Sequence, residues 1–178
     1  MYTFEEWKKN LIIVRGGGDI ATGTIYKLYQ SRFSVLVLEI ANPSCIRRTI
    51  SFCEAVFDKK VEVEGVTAKR AESLEDAFAI YGQGQIPVMI DENGSMIQEV
   101  QPPVVVDAIL AKRNLGTKIT DAPAVIGVGP GFCAGKDVDA VIETQRGHNL
   151  GRVIYEGEAA PNTGILFLTL IKYSLYLF

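Results

Sequence analysis

Two unbroken apolar runs rich in β-branched side chains, Leu11-Ile12-Ile13-Val14 and Ser34-Val35-Leu36-Val37-Leu38-Glu39, have the pattern of strands buried on both faces. Gly16-Gly17-Gly18 separates the first run from Ile20 to Ser31, where Ile20, Gly23/Thr24, Tyr26/Lys27 and Leu28 recur at helical spacing. Ile86 to Ile90 and Val104-Val105-Val106-Asp107 read as further buried strands. Val61-Glu62-Val63-Glu64 alternates apolar and acidic positions, as in a strand with one wet face. Thr3-Phe4-Glu5-Glu6 is a capping box that predicts a short first helix. Ser73-Leu74-Glu75-Asp76 opens a helix to Tyr81, stopped by Gly82 and Gly84. Ile46 to Phe57 is compatible with a helix, and Asp91-Glu92-Asn93-Gly94 reads as a hairpin-type turn.

The last third is richer in strands, with Ala124 to Val128, Val138 to Glu143 and Arg152 to Tyr155 as candidates. Strands alternating with helices predict an α/β, Rossmann-like domain: a mainly parallel sheet with helices on both faces, plus a strand-rich C-terminal part. The expected organisation is an N-terminal helix over 1–10, the α/β domain over 11–164 and an apolar tail over 165–178.

Composition narrows the function classes. Hydrophobic residues make up 48% of the 178, enough for a core without staples. The formal net charge of -3 argues against a general nucleic-acid binder, and the dibasic pairs are scattered among acids. Three cysteines without a CxxC fit a reducing compartment better than a disulfide framework, so the cytoplasm is the expected location. Ile165 to Phe178 is almost wholly apolar but shorter than the roughly 20 residues of a membrane span, and no membrane association is expected.

The candidate chemistry begins at Gly16-x-Gly18-x-x-Ala21, between a strand and a helix. In a dinucleotide fold the first glycine permits the tight turn, the second lets a pyrophosphate approach the backbone, and the third position must be small for helix and strand to pack. Free N–H groups and the helix dipole favour an anion there. Glu39 stands at about the ~20-residue offset of an acid that binds ribose hydroxyls. Asp19 would repel a phosphate unless it caps the helix. A glycine-rich turn without a ligand is the alternative. Gly127-x-Gly129-Pro130-Gly131 also follows a buried strand and has the pattern of an anion-binding nest. A P-loop reading through Gly135-Lys136 fails, because Pro130 stands where glycine is needed and Asp137 where serine or threonine is needed. Glu143, the lone histidine His148 and Cys133 are the weak catalytic candidates, and no metal site is expected from the Cys and His spacing.

Several blocks in one order resemble a known family. Arg15 to Gly23, Ile46-Arg47-Arg48-Thr49 with Glu54-Ala55-Val56, Val106-Asp107-Ala108 with Ala111-Lys112-Arg113-Asn114-Leu115-Gly116, Gly127 to Phe132, Ile142-Glu143-Thr144 with Arg146-Gly147-His148, Leu150-Gly151-Arg152 and Pro161-Asn162-Thr163-Gly164 are similar to the YqeB-type accessory proteins of selenium-dependent molybdenum hydroxylases. That family is in turn similar to the Rossmann half of XdhC-type accessory factors, which help insert or sulfurate molybdenum cofactor.

The resemblance implies a maturation role rather than a stand-alone catalyst. The ligand would be molybdenum cofactor as a pterin dinucleotide, and the partners a molybdenum hydroxylase or other maturation factors; a homo-oligomer is compatible. The positions it singles out are Arg15, Gly16, Gly18, Asp19, Arg47, Arg48, Asp107, Lys112, Arg113, Gly129, Gly131, Glu143, Arg146 and His148. The family carries a hydroxyl residue where this chain has Cys133, and its glycine-rich C-terminal segment is replaced after Gly164 by the apolar tail, read as a truncated or frameshifted end. An NAD-dependent oxidoreductase using the same loop and Glu39, and a Rossmann scaffold that binds nothing, are the alternatives.

Overall fold

The computed structural model describes residues 2–161. The tail over 165–178 lies outside the described residues. Helix α1 (Phe4–Lys9) carries the expected capping box: the Glu6 N–H donates to Thr3 Oγ1 at 3.3 Å and the Thr3 N–H to Glu6 Oε2 at 2.8 Å. It is followed by β1 (Leu11–Arg15), α2 (Asp19–Gln30) and β2 (Ser34–Glu39). Next come α3 (Ala55–Asp58), β3 (Lys60–Val63), β4 (Val66–Ala71), α4 (Leu74–Gly82), β5 (Ile86–Ile90), α5 (Ser95–Val100) and β6 (Val104–Asp107). The remaining strands are β7 (Ala124–Val128), β8 (Cys133–Ala134), β9 (Ala140–Ile142), β10 (Val153–Ile154) and β11 (Gly157–Glu158).

Nine strands form one sheet in the order β10-β9-β7-β6-β1-β2-β5-β4-β3. The six strands from β5 to β9 are parallel, as is β4 on β5; the edge strands β3 and β10 are antiparallel. Read by their place in the chain, β5-β2-β1-β6-β7-β9 have the 3-2-1-4-5-6 arrangement of doubly wound folds, with the order reversing between β1 and β6.

Strand alternation divides the core. Leu11, Ile13, Leu36, Leu38 and Val105 pack with Trp7 of α1, Leu74, Ala77 and Ile80 of α4, and Ile97 and Val100 of α5. Ile12, Val14, Val35, Val37 and Val106 pack with Ala21 and Ile25 of α2 and Ala55 and Val56 of α3. Helices therefore cover both faces, as expected. Each fully buried Ile, Leu or Val contributes about 1.5–3 kcal/mol, so these two layers fix the register of β1 and β2. Among the described residues beyond β6 there is no helix: the segment 108–123 joins β6 to β7 without one, and Val125, Phe132, Val138 and Val141 form a smaller cluster.

Two expectations are corrected. Residues Ile46 to Phe57 do not form one helix; Arg48–Ile50 and Phe52–Glu54 are 3-10 turns and only Ala55–Asp58 is α-helical. The cause is a competing set of acceptors. The Cys53 N–H donates to Gly17 O at 2.8 Å and the Phe52 N–H to Thr22 Oγ1 at 2.9 Å, so the amides serve the glycine loop instead of a helical ladder. Asp91 to Gly94 is not a hairpin turn but the start of α5. Asp91 accepts from the Met96 N–H at 2.8 Å and from Ser95 Oγ at 2.9 Å, and Gly94 enters the helix at φ +72°.

Candidate functional site

Because β1, β2, β6, β7 and β9 are parallel, their carboxyl ends share one edge of the sheet. That edge gathers Gly16 to Asp19 after β1, Glu39 at the end of β2, Asp107 at the end of β6, Gly129 to Gly131 after β7 and Glu143 after β9. Crevices at this edge, where the strand order reverses, are where doubly wound sheets bind ligands.

The three glycines of the first loop differ. Gly16 has φ +92°, and a Cβ there would lie 3.0 Å from Ala108 O, so it makes the turn from β1 toward α2 hard against the end of β6. A Cβ on Gly17 would lie 3.1 Å from the Cys53 amide nitrogen. Gly18 has open space around its Cβ position and caps α2 with extended backbone and no side-chain bond. Its N–H and that of Asp19 have no acceptor among the described residues. Ala21 is fully buried against the strands, the close packing its size allows.

Acids and bases surround that opening. Asp19 Oδ1 accepts from the Ile20 N–H at 2.9 Å and Oδ2 pairs with Arg47 Nε at 2.6 Å, so Asp19, the first residue of α2 after the N-cap Gly18, meets one first-turn donor and carries its own cation. Glu39 turns inward: Oε2 accepts from the Gly17 N–H and Oε1 from the Ile40 N–H, both at 2.8 Å. Arg48 holds Glu54 bidentately, with Nε to Oε1 at 2.9 Å and Nη2 to Oε2 at 2.8 Å. That hydrogen bond keeps the Glu54 carboxyl below its ordinary range, despite the opposing effect of burial.

Arg15 and Asp107 sit side by side in the β1–β6 pairing, on the face opposite α2. Both are buried. Arg15 Nη1 donates to Asp107 Oδ2 at 3.3 Å and to Thr117 Oγ1 at 2.5 Å, and Thr117 donates to Asp107 at 2.5 Å. A cavity of about 430 Å³ opens beside Arg15, lined also by Gly94, Gln98 and Lys118. A larger one of about 880 Å³, lined by Tyr2, Tyr29, Phe33 and Tyr81, lies at the opposite edge of the sheet near the end of α2.

The second glycine loop is closely packed rather than open. Gly129, at φ +85°, faces Leu110 Cδ2 at 2.8 Å and Thr144 Oγ1 at 3.0 Å from its Cβ position. Gly131, at φ +108°, faces the Arg113 backbone at 2.7 Å. Lys112 and Arg113 are exposed and form no ion pair among the described residues. The loop anchors the segment that carries them.

Glu143 does not meet His148 as a catalytic pair. Both its oxygens are spent on backbone: Gln145 N–H at 2.7 Å and Ala160 N–H at 2.8 Å. Burial pushes its pKa up, but the N–H groups of Ala160, Gln145 and Thr144 outweigh burial and the net direction is down. His148 and Arg146 are exposed in the turn that follows. Cys133 is half-buried, with Sγ 3.8 Å from Ala134 O.

Residue-level reading of the sequence missed Thr22, Thr117 and the Cys45–Cys53 pair. Thr22 and Thr117 gave no signal, since each joins its near neighbour, Gly17 or Asp107, to a group 30 or 102 residues away, in Phe52 or Arg15. No helix among the described residues is long and apolar enough to cross a membrane.

These features define the class: a doubly wound, Rossmann-like α/β unit with its candidate ligand groups at the carboxyl edge of the sheet. The chain is 53% identical over 155 residues to YqeB, an uncharacterised protein of Escherichia coli (strain K12), a match that covers 87% of this chain and 29% of YqeB. The chain belongs to the YqeB family, and it spans less than a third of that relative's length. No family model matches it, and no solved structure matches it.

Proposed function

We propose that this chain is the nucleotide-holding unit of a cytoplasmic maturation factor for a selenium-dependent molybdenum hydroxylase. Its ligand is a pterin dinucleotide form of molybdenum cofactor, and its partner is the hydroxylase or another maturation factor. One observation carries the binding half: the glycine loop lies where the strand order reverses, with Gly18 open and the Gly18 and Asp19 N–H groups unspent among the described residues. The family relation supports the maturation half.

The residues present fit a pyrophosphate. Gly18 lets it approach, the first turn of α2 offers N–H donors and a positive dipole end, and Arg47 is within reach once it leaves Asp19. The cofactor, when bound, would supply the molybdenum chemistry; the chain would bind it, orient it and exclude water from the loop. Lys112 and Arg113 add cations at the same edge. Glu39 must release Gly17 before it can meet a ribose.

The test is a thermal-shift comparison of NAD, ADP, cytidine nucleotides and the pterin dinucleotide on the 178-residue chain and on Gly18→Val. Gly18 has φ -64° and free space at Cβ, so valine leaves the fold intact while filling the site. A ligand at 100 times its dissociation constant adds about 2.7 kcal/mol. Stabilisation by the pterin dinucleotide or a cytidine nucleotide, lost in Gly18→Val, is the expected result. Stabilisation by NAD alone would replace the proposal with a dehydrogenase, and no response to any ligand would overturn it.

A further inference from the structure

The turn that closes over the glycine loop carries three ligand-type side chains that the proposed nucleotide site does not use. Cys45, Cys53 and Glu54 bring Sγ, Sγ and a carboxylate oxygen within 4.8 Å of one another. Cys45 Sγ lies 3.7 Å from Glu54 Oε1. Cys53 is fully buried and Glu54 nearly so, while Cys45 is only half-buried and leaves a path from solvent.

We infer that Cys45, Cys53 and Glu54 form a binding site for a soft divalent cation of the zinc class. Two sulfurs and one carboxylate oxygen are the donor set such ions prefer, and three protein ligands leave a fourth position open. With Zn–S near 2.3 Å and Zn–O near 2.1 Å, tetrahedral ligands stand about 3.5–3.8 Å apart, which the Cys45–Glu54 pair already meets. The other two separations are no more than 4.8 Å, so side-chain rotations of about 1 Å complete the tetrahedral spacing.

The surroundings hold the ligands in place. The Cys53 N–H is bonded to Gly17 O and the Phe52 N–H to Thr22 Oγ1, so the 52–54 turn is fixed to the start of α2. Arg48 grips both oxygens of Glu54 but is mostly exposed, and it can keep Oε2 while Oε1 turns to the cation. On binding, the cation displaces the thiol protons to solvent, and its charge offsets the cost of a thiolate at the buried Cys53. The site would tie the segment after β2 to the glycine loop.

The experiment uses Zn²⁺ and Cd²⁺ with the reduced 178-residue chain. Equilibrium dialysis should give one Zn²⁺ per chain, and Cd²⁺ should give an ultraviolet thiolate-to-metal band. Each of Cys45→Ser and Cys53→Ser should lose the band and weaken binding at least tenfold, and Arg48→Met should weaken it about tenfold by freeing Glu54. Cys133→Ser, outside the cluster, should bind as the parent does. Should a serine variant not fold, peptide mapping of the unsubstituted chain replaces it: Zn²⁺ should slow alkylation of Cys45 but not of Cys133. No uptake, uptake unchanged by both serines, equal protection of Cys133, or a Cys45–Cys53 disulfide that forms in place of uptake would each overturn the inference. No nucleotide enters these measurements, so their failure is separate from failure of the nucleotide proposal.

Discussion

Glu39 Oε2 stands 2.8 Å from the Gly17 amide nitrogen, so the acid at the end of β2 braces the glycine loop from inside. Gly17 is buried, and without Glu39 its N–H would have no acceptor. Glu39→Ala should therefore destabilise the chain by about 1–3 kcal/mol, the cost of an unmet buried donor. Glu39→Gln keeps one acceptor and should cost less. Urea unfolding of the three proteins checks the order; an alanine variant as stable as the parent would mean the contact is idle.

Arg15 and Asp107 form a buried pair, and removing one charge strands the other. Arg15→Met or Asp107→Leu alone should cost about 3–5 kcal/mol, whereas the double variant should recover much of that loss. A double-mutant cycle by denaturant unfolding measures the coupling. Additive losses would show that the two charges do not depend on each other.

Much of this was legible in the sequence. The runs at Leu11, Ser34 and Val104 bury on both faces because parallel central strands must, and the capping box at Thr3 needs only local chemistry. Arg15 joins the glycine-loop residues only through the family resemblance. Alternation from Ile13 sends its side chain to the opposite face, and its partner Thr117 lies in a loop no periodicity marks. Gly94 misled because a glycine at positive φ serves a hairpin turn and a helix start equally. The Ile46–Phe57 segment misled because its amides answer to Gly17 and Thr22, acceptors set by tertiary contact.

Two glycines with similar φ should respond differently to alanine. Gly135, at φ +82°, has open space at its Cβ position, so Gly135→Ala carries only the left-handed backbone cost of about 1–2 kcal/mol. Gly131, at φ +108°, would drive a Cβ to 2.7 Å from the Arg113 backbone. Gly131→Ala should cost clearly more and displace the 110–113 segment. Comparing the two melting temperatures, with tryptic cleavage at Lys112 and Arg113 as a local probe, tests this. Equal losses would refute the packing role of Gly131.

Glu143 gives the fold a pH dependence of fixed sign. Unfolded, its carboxyl titrates near 4.5; folded, burial pushes the pKa up but the Ala160, Gln145 and Thr144 N–H groups win and hold it lower. A folded-state pKa below the unfolded one contributes stability that is present above the unfolded value and lost as pH falls through the folded value. Glu143→Gln cannot ionise, and its amide places an N–H where two acceptors are needed. The variant should be less stable than the parent at pH 7, with the gap narrowing as pH drops below about 4.5. Urea midpoints for both proteins between neutral and acid pH measure it. A gap that stayed constant, or widened on acidification, would mean that the Glu143 charge does not support the turn from Thr144 to Ala160.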